Sequence, residues 1–96
     1  DLLLQKFITV AETGNLSAAA KRLGIVQPAL SAQMKAIERN YGVQLFKMQR
    51  GKRHIELTEA GETFLQQARQ LCNTEDDISL RMQAFGRRAA GTLRFS

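Results

Sequence analysis

The sequence holds a single cysteine, a single histidine and a single proline in 96 residues, and no tryptophan. Cys72 has no partner for an internal disulfide, and with His54 it cannot supply the four ligands of the usual His/Cys zinc site. No stretch reaches the ~18–20 uncharged apolar residues that cross a bilayer, so no membrane partner is expected. The opening residues DLLLQKF carry no secretory apolar core or cleavage site. Glycine-rich phosphate loops and paired-carboxylate motifs are also missing, which leaves an enzyme reading weak. What remains is the composition of an ordinary globular chain, 44% hydrophobic and 24% charged, folding without a cofactor. The length suits one domain rather than two.

Charge is unevenly spread. The net charge is +5 and the isoelectric point about 10.0. Residues 1–57 carry nine Lys/Arg against four acids, whereas residues 58–96 carry five of each sign. A basic half joined to a neutral half points to a polyanion for the first and another task for the second. The plain alternative is that moderate positive charge only keeps a domain soluble.

Apolar periodicity divides the basic half into three helices. Leu4, Phe7, Ile8 and Ala11 fall at helical spacing, and Gly14 suits the left-handed residue that follows a helix. A second helix is expected to begin at Ser17, whose hydroxyl can cap it, and to run through Ala18-Ala19-Ala20 to Leu23. Only Ile25-Val26-Gln27 separates Gly24 from Pro28, a residue suited to a first helical turn. The third helix places Leu30, Met34, Ile37 and Tyr41 on one face, with Gly42 behind it. Two short helices joined by a glycine-containing turn form a helix-turn-helix signature over residues 16–38, although any αα-corner shares that spacing.

The pattern then changes. Phe46 and Met48 alternate on one side, Ile55 and Leu57 on the other, with Gly51 available for a turn. This reads as a two-stranded hairpin, or wing, over residues 45–57. Lys47, Arg50, Lys52 and Arg53 place four positive charges in seven residues with no acid among them. A solvated loop is the usual meaning of such a run; directly behind a helix-turn-helix, it is where a wing meets phosphates.

From Thr58, a candidate cap, one long helix is expected over residues 58–89, with Glu59 and Glu62 at its positive end. Phe64, Leu71, Ile78 and Phe85 recur every seven residues, joined by Ala68 and Met82, with Glu75 interrupting the seam. An apolar stripe on a protruding helix must be covered. A second copy of the helix suits the heptad best; a missing part of the chain, or folding back on the domain, are the alternatives. Cys72 reads as a small hydrophobe beside the seam, and Glu75-Asp76-Asp77 as a solvated acidic face. An adaptor that binds an acidic protein through its basic hairpin stays open beside nucleic-acid binding.

The ordered set Leu16-Ser17-Ala18-Ala19-Ala20, Leu23, Gln27-Pro28-Ala29-Leu30-Ser31, Ile37-Glu38, Tyr41-Gly42, Leu45-Phe46 and Leu57-Thr58-Glu59-Ala60-Gly61 resembles the LysR-type transcriptional regulators of bacteria. The resemblance implies a mostly α fold: a winged helix-turn-helix of three helices and a two-stranded wing over residues 1–57, followed by a long dimerisation helix. Residues 90–96 resemble the hinge and first strand of an effector-binding domain that the chain does not include. A small-molecule effector is expected only there. The implied partner is double-stranded promoter DNA, bound in the cytoplasm by a homodimer that is often part of a tetramer in this family. On this reading the DNA-contacting residues are Gln27, Pro28, Ala29, Ser31, Ala32 and Lys35 on the third helix. Arg50, Lys52 and Arg53 on the wing and the backbone near Ser17 join them; Gln27 can donate to and accept from adenine. Phe64, Ala68, Leu71, Ile78, Met82 and Phe85 are the expected dimer residues. Val26, Ala32 and Met48 depart from the family pattern, and the wing is about two residues longer.

Overall fold

In the computed structural model the chain forms α1 (Leu2–Thr13), α2 (Leu16–Leu23), α3 (Gln27–Tyr41), β1 (Phe46–Met48), β2 (Ile55–Leu57) and α4 (Glu59–Arg94). The structure describes residues 2–48 and 54–94, with 90–94 as backbone alone. Three glycines with positive φ, Gly14, Gly24 and Gly42, close α1, α2 and α3. At Gly14 the amide reaches back to the Val10 carbonyl at 2.9 Å, using a conformation that side chains disfavour.

The cap of α2 differs from expectation. Asn15, not Ser17, takes the extended N-cap conformation, and its side chain accepts the Ala18 N–H at 2.9 Å. Ser17 already lies inside the first turn, so its hydroxyl is released for another partner. Asn15→Ala should therefore lower stability by about 1 kcal/mol, measured by urea unfolding, whereas Ser17→Ala should cost α2 no cap. A destabilisation by Ser17→Ala equal to that of Asn15→Ala would contradict the assignment.

The helices meet around Phe7, Val10, Ala19, Ala20, Leu30, Met34, Ile37, Leu45 and Leu65. On α1 the buried centre is Phe7 and Val10, with Ile8 and Ala11 only half-buried beside them. That shift arises because α1 packs on both α2 and α4, so its apolar stripe is divided between two neighbours. Ala19 and Ala20 are buried and let α2 approach closely, while Ala18 is exposed. The ring of Phe7 lies 5.1 Å from Phe46 and 4.6 Å edge-on from Phe64, joining α1, the wing and α4 in one aromatic cluster. On α3, Leu30, Met34 and Ile37 are buried as the spacing predicts. Tyr41 is not; it is 65% exposed, with its ring edge-on to Phe64 at 5.6 Å between centroids.

The wing strands pair antiparallel with Phe46 opposite Leu57 and Met48 opposite Ile55. Thr58 caps α4 through its hydroxyl oxygen, which accepts the Gly61 N–H at 3.0 Å. The first turns of α4 bury Gly61, Leu65 and Ala68 against the domain, with Phe64 half-buried beside them. Phe64 and Ala68 are thus engaged within the subunit rather than free for a dimer seam: α1 packs along α4, with Phe7 against the Phe64 ring, and Ala68 is only 3% exposed. Leu71, Ile78, Met82 and Phe85 remain between 47% and 59% exposed. At 3.6 residues per turn this stripe lies about 100° around the helix from the domain-facing positions. Cys72 is half-buried. Arg81 pairs with Asp77 of its own helix at 2.8 Å. The backbone stays helical through Arg94, where a hinge and strand were expected; Arg87-Arg88-Ala89-Ala90 are good helix formers and carry the helix across Gly91. The helix gives the molecule its 67 × 25 × 19 Å shape.

Candidate nucleic-acid interface

The side of α3 opposite Leu30, Met34 and Ile37 is uncovered. Gln27, Pro28, Ala32 and Lys35 are exposed on it, whereas Ala29 and Ser31 are half-buried. Val26 makes no side-chain cap bond, and Pro28 occupies the first turn. The leading end of α3 is therefore smooth, carrying small apolar groups and one carboxamide. Lys35 and Arg39 follow one turn apart at its exposed edge, and Lys21 and Arg22 end α2. Ser31 and Lys35 also line a cleft with Met48 and Ile55 of the wing.

Ser17 and Gln27 meet across the turn: the Ser17 hydroxyl donates to Gln27 Oε1 at 2.8 Å. One lone pair of Gln27 Oε1 is therefore already engaged, and a two-point adenine contact would have to share that oxygen with Ser17.

Three separate elements brace the wing. Glu38, on α3, accepts the backbone N–H groups of Leu45 at 2.7 Å and Phe46 at 3.3 Å. Thr58 donates its hydroxyl to the Gln44 carbonyl at 2.6 Å, and its backbone N–H bonds to the Leu45 carbonyl at 3.0 Å. The Gly14 carbonyl accepts the Ile55 N–H at 2.8 Å. Helix α3, the α1–α2 turn and the start of α4 are thus each hydrogen-bonded to the wing base. Neither Glu38 nor Asn15 emerged as a site residue from sequence reasoning. For Asn15 the signal was present, a capping type directly after a C-terminal glycine; for Glu38 the contact crosses a loop and has no local signature.

Lys47 is exposed on β1. Arg50, Lys52 and Arg53, the expected phosphate contacts of the wing, lie outside the described residues. Among the described residues no His, Cys, Asp and Glu cluster could hold a metal ion, and no helix is long and apolar enough to cross a membrane.

Three helices with a tight turn before the third, a two-stranded wing and a long trailing helix define a winged helix-turn-helix protein. Residues 2–62 match the family model described as bacterial regulatory helix-turn-helix protein, lysR family. The chain belongs to that family. It is 46% identical over 91 residues to the transcriptional regulator ClcR of Pseudomonas putida, covering 95% of this chain and 30% of ClcR. Identity to TfdT of Cupriavidus pinatubonensis is 44% over 91 residues, covering 95% of this chain and 39% of TfdT. The chain thus spans between 30% and 39% of the length of these two relatives. Among solved structures, the CbnR_DBD–DNA complex superposes with a TM-score of 0.78 at 44% identity, covering 85% of this chain and 92% of that one. The BenM_DBD/benA site 1 DNA complex superposes at 0.79 with 32% identity, covering 86% and 94%.

Proposed function

We propose that this chain is the DNA-binding portion of a LysR-type transcription regulator, working in the cytoplasm as a homodimer on promoter DNA. The observation that carries this is the uncovered outer face of α3, framed by basic residues and locked to the wing through Glu38. The DNA complexes of CbnR and BenM, relatives in fold and sequence, support it. In this reading α3 enters the major groove. Gln27, Pro28, Ala29, Ser31 and Ala32 meet base edges and thymine methyls. That surface carries little charge, so affinity comes from phosphates contacted by Lys35, the wing residues Arg50, Lys52 and Arg53, and the backbone at the start of α2.

The exposed stripe Leu71, Ile78, Met82 and Phe85 pairs two copies through α4. Two modules on one duplex raise the effective concentration of the second, and two-fold symmetry makes the preferred site an inverted repeat. The chain performs no catalysis and needs no cofactor; a small-molecule effector belongs to a further domain of the whole regulator, which can also assemble as a tetramer.

The test is an anisotropy titration of the protein with duplex at several salt concentrations. Binding should weaken steeply as salt rises. Replacing Arg50, Lys52 and Arg53 together with serine should reduce the slope by about three, close to one per lost phosphate contact. The adaptor reading instead requires no salt-dependent duplex binding at micromolar protein. An unchanged slope in the triple variant removes the wing from the phosphate set.

A further inference from the structure

Ser17 and Gln27 lie on different helices, ten residues apart in sequence, yet their side chains are joined by a 2.8 Å hydrogen bond at the exposed mouth of the turn. The bond exists because Asn15 has taken over the cap of α2, leaving the Ser17 hydroxyl unclaimed by the backbone. On the other side, Gln27 opens α3 where Val26 offers no side-chain cap. Both residues are exposed, and neither is needed to fill the core.

A carboxamide has one acceptor end and one donor end. With Oε1 held toward α2 by Ser17, the two N–H donors of Gln27 face away from α2, ahead of the leading edge of α3. We infer that Ser17 is a positioning residue that sets the polarity of base reading by Gln27. Held this way, Gln27 favours a base edge bearing a keto oxygen, guanine O6 or thymine O4. At that exocyclic position it disfavours an amino group, adenine N6 or cytosine N4, where donor would meet donor. Every base pair has one keto and one amino group at its exocyclic major-groove positions, so contact there lets the Ser17–Gln27 pair read the orientation of a base pair rather than its composition. This inference rests on the groove docking of α3 proposed above.

The experiment starts from duplexes selected from a random pool by the unmodified protein. The pair read by Gln27 is identified as the one at which Gln27→Ala loses its preference. Binding is then measured on four duplexes that differ only at that pair. Ser17→Ala should lower the keto-over-amino preference about fivefold, the worth of one hydrogen bond. Ser17→Thr, which keeps the hydroxyl, should retain it, and Ser17→Ala should change the ratio no further once Gln27 is alanine. Circular dichroism melts of each variant verify folding. An equal loss on all four duplexes makes Ser17 a phosphate contact and overturns the inference, as does an unaltered ratio. If the unmodified protein selects no sequence at all, the docking of α3 fails first and the polarity device with it.

Discussion

Gly61→Ala should destabilise the protein by about 3 kcal/mol, because the added methyl overpacks a site closed by main chain. A Cβ at Gly61 runs into the Leu45 carbonyl oxygen and comes to 3.0 Å from Leu57 Cδ2. The Leu45 carbonyl cannot simply yield. It accepts the Thr58 N–H at 3.0 Å, while the Leu45 N–H is held by Glu38 at 2.7 Å. Displacing it disturbs the cap of α4, the base of the wing and the buried Leu45 side chain together. For a domain of this size the loss corresponds to a fall in melting temperature of roughly 15 °C. Two other glycines serve as controls. Gly24→Ala meets open space, but at φ +70°, so its cost of about 1–2 kcal/mol is conformational alone. Gly86 also has open space and lies within α4, where alanine should stabilise by up to about 1 kcal/mol. Thermal melts of the three variants should therefore rank Gly61 below Gly24 below Gly86. A Gly61→Ala melt equal to that of the unmodified protein would mean that α4 does not touch the wing base as described.

The core face of α3 was legible because Leu30, Met34 and Ile37 keep strict helical spacing between two punctuating glycines. The hairpin itself was equally open to reading from the alternation of Phe46 and Met48 with Ile55 and Leu57 about Gly51; its register, Phe46 opposite Leu57, was not, since a slip of two residues keeps the same face inward. Other features depend on competition between comparable groups. Asn15 and Ser17 are both capping types, and only the extended backbone at Asn15 decides between them. A heptad shows that Phe64 and Ala68 belong to an apolar stripe; it does not say which surface covers them. Tyr41 follows the periodicity of α3 but lies at its last residue, where a polar ring tip is content in water. Glu38 binds the wing base across seven and eight residues, a distance at which no local rule operates. The candidate DNA surface was readable as a set of residues. Its bracing, which comes from the contacts of Glu38, Thr58 and Gly14, was not.

That bracing governs the strongest functional effect. Ala32→Glu should weaken binding to specific and nonspecific duplex alike by about a hundredfold or more, since like charges brought face to face cost several kcal/mol. Ala32 is exposed on the outer face of α3, one position beyond Ser31 and three before Lys35. Glutamate is a good helix former there, so melting should be unaffected. A flexible loop could swing the carboxylate aside. Here α3 is tied to the wing through Glu38 and to α2 through Ser17 and Gln27, so the new charge must travel wherever the reading face travels. The salt dependence carries a sign that separates this from simple obstruction. A carboxylate repelled by phosphates is screened as salt rises, so the deficit of Ala32→Glu relative to Ala32→Gln should shrink between low and high salt. The same charge at Gln83, on the part of α4 that projects beyond the domain, should leave duplex affinity where it was. Should Ala32→Glu bind DNA as tightly as the unmodified protein, the outer face of α3 is not what enters the groove, whatever the wing does.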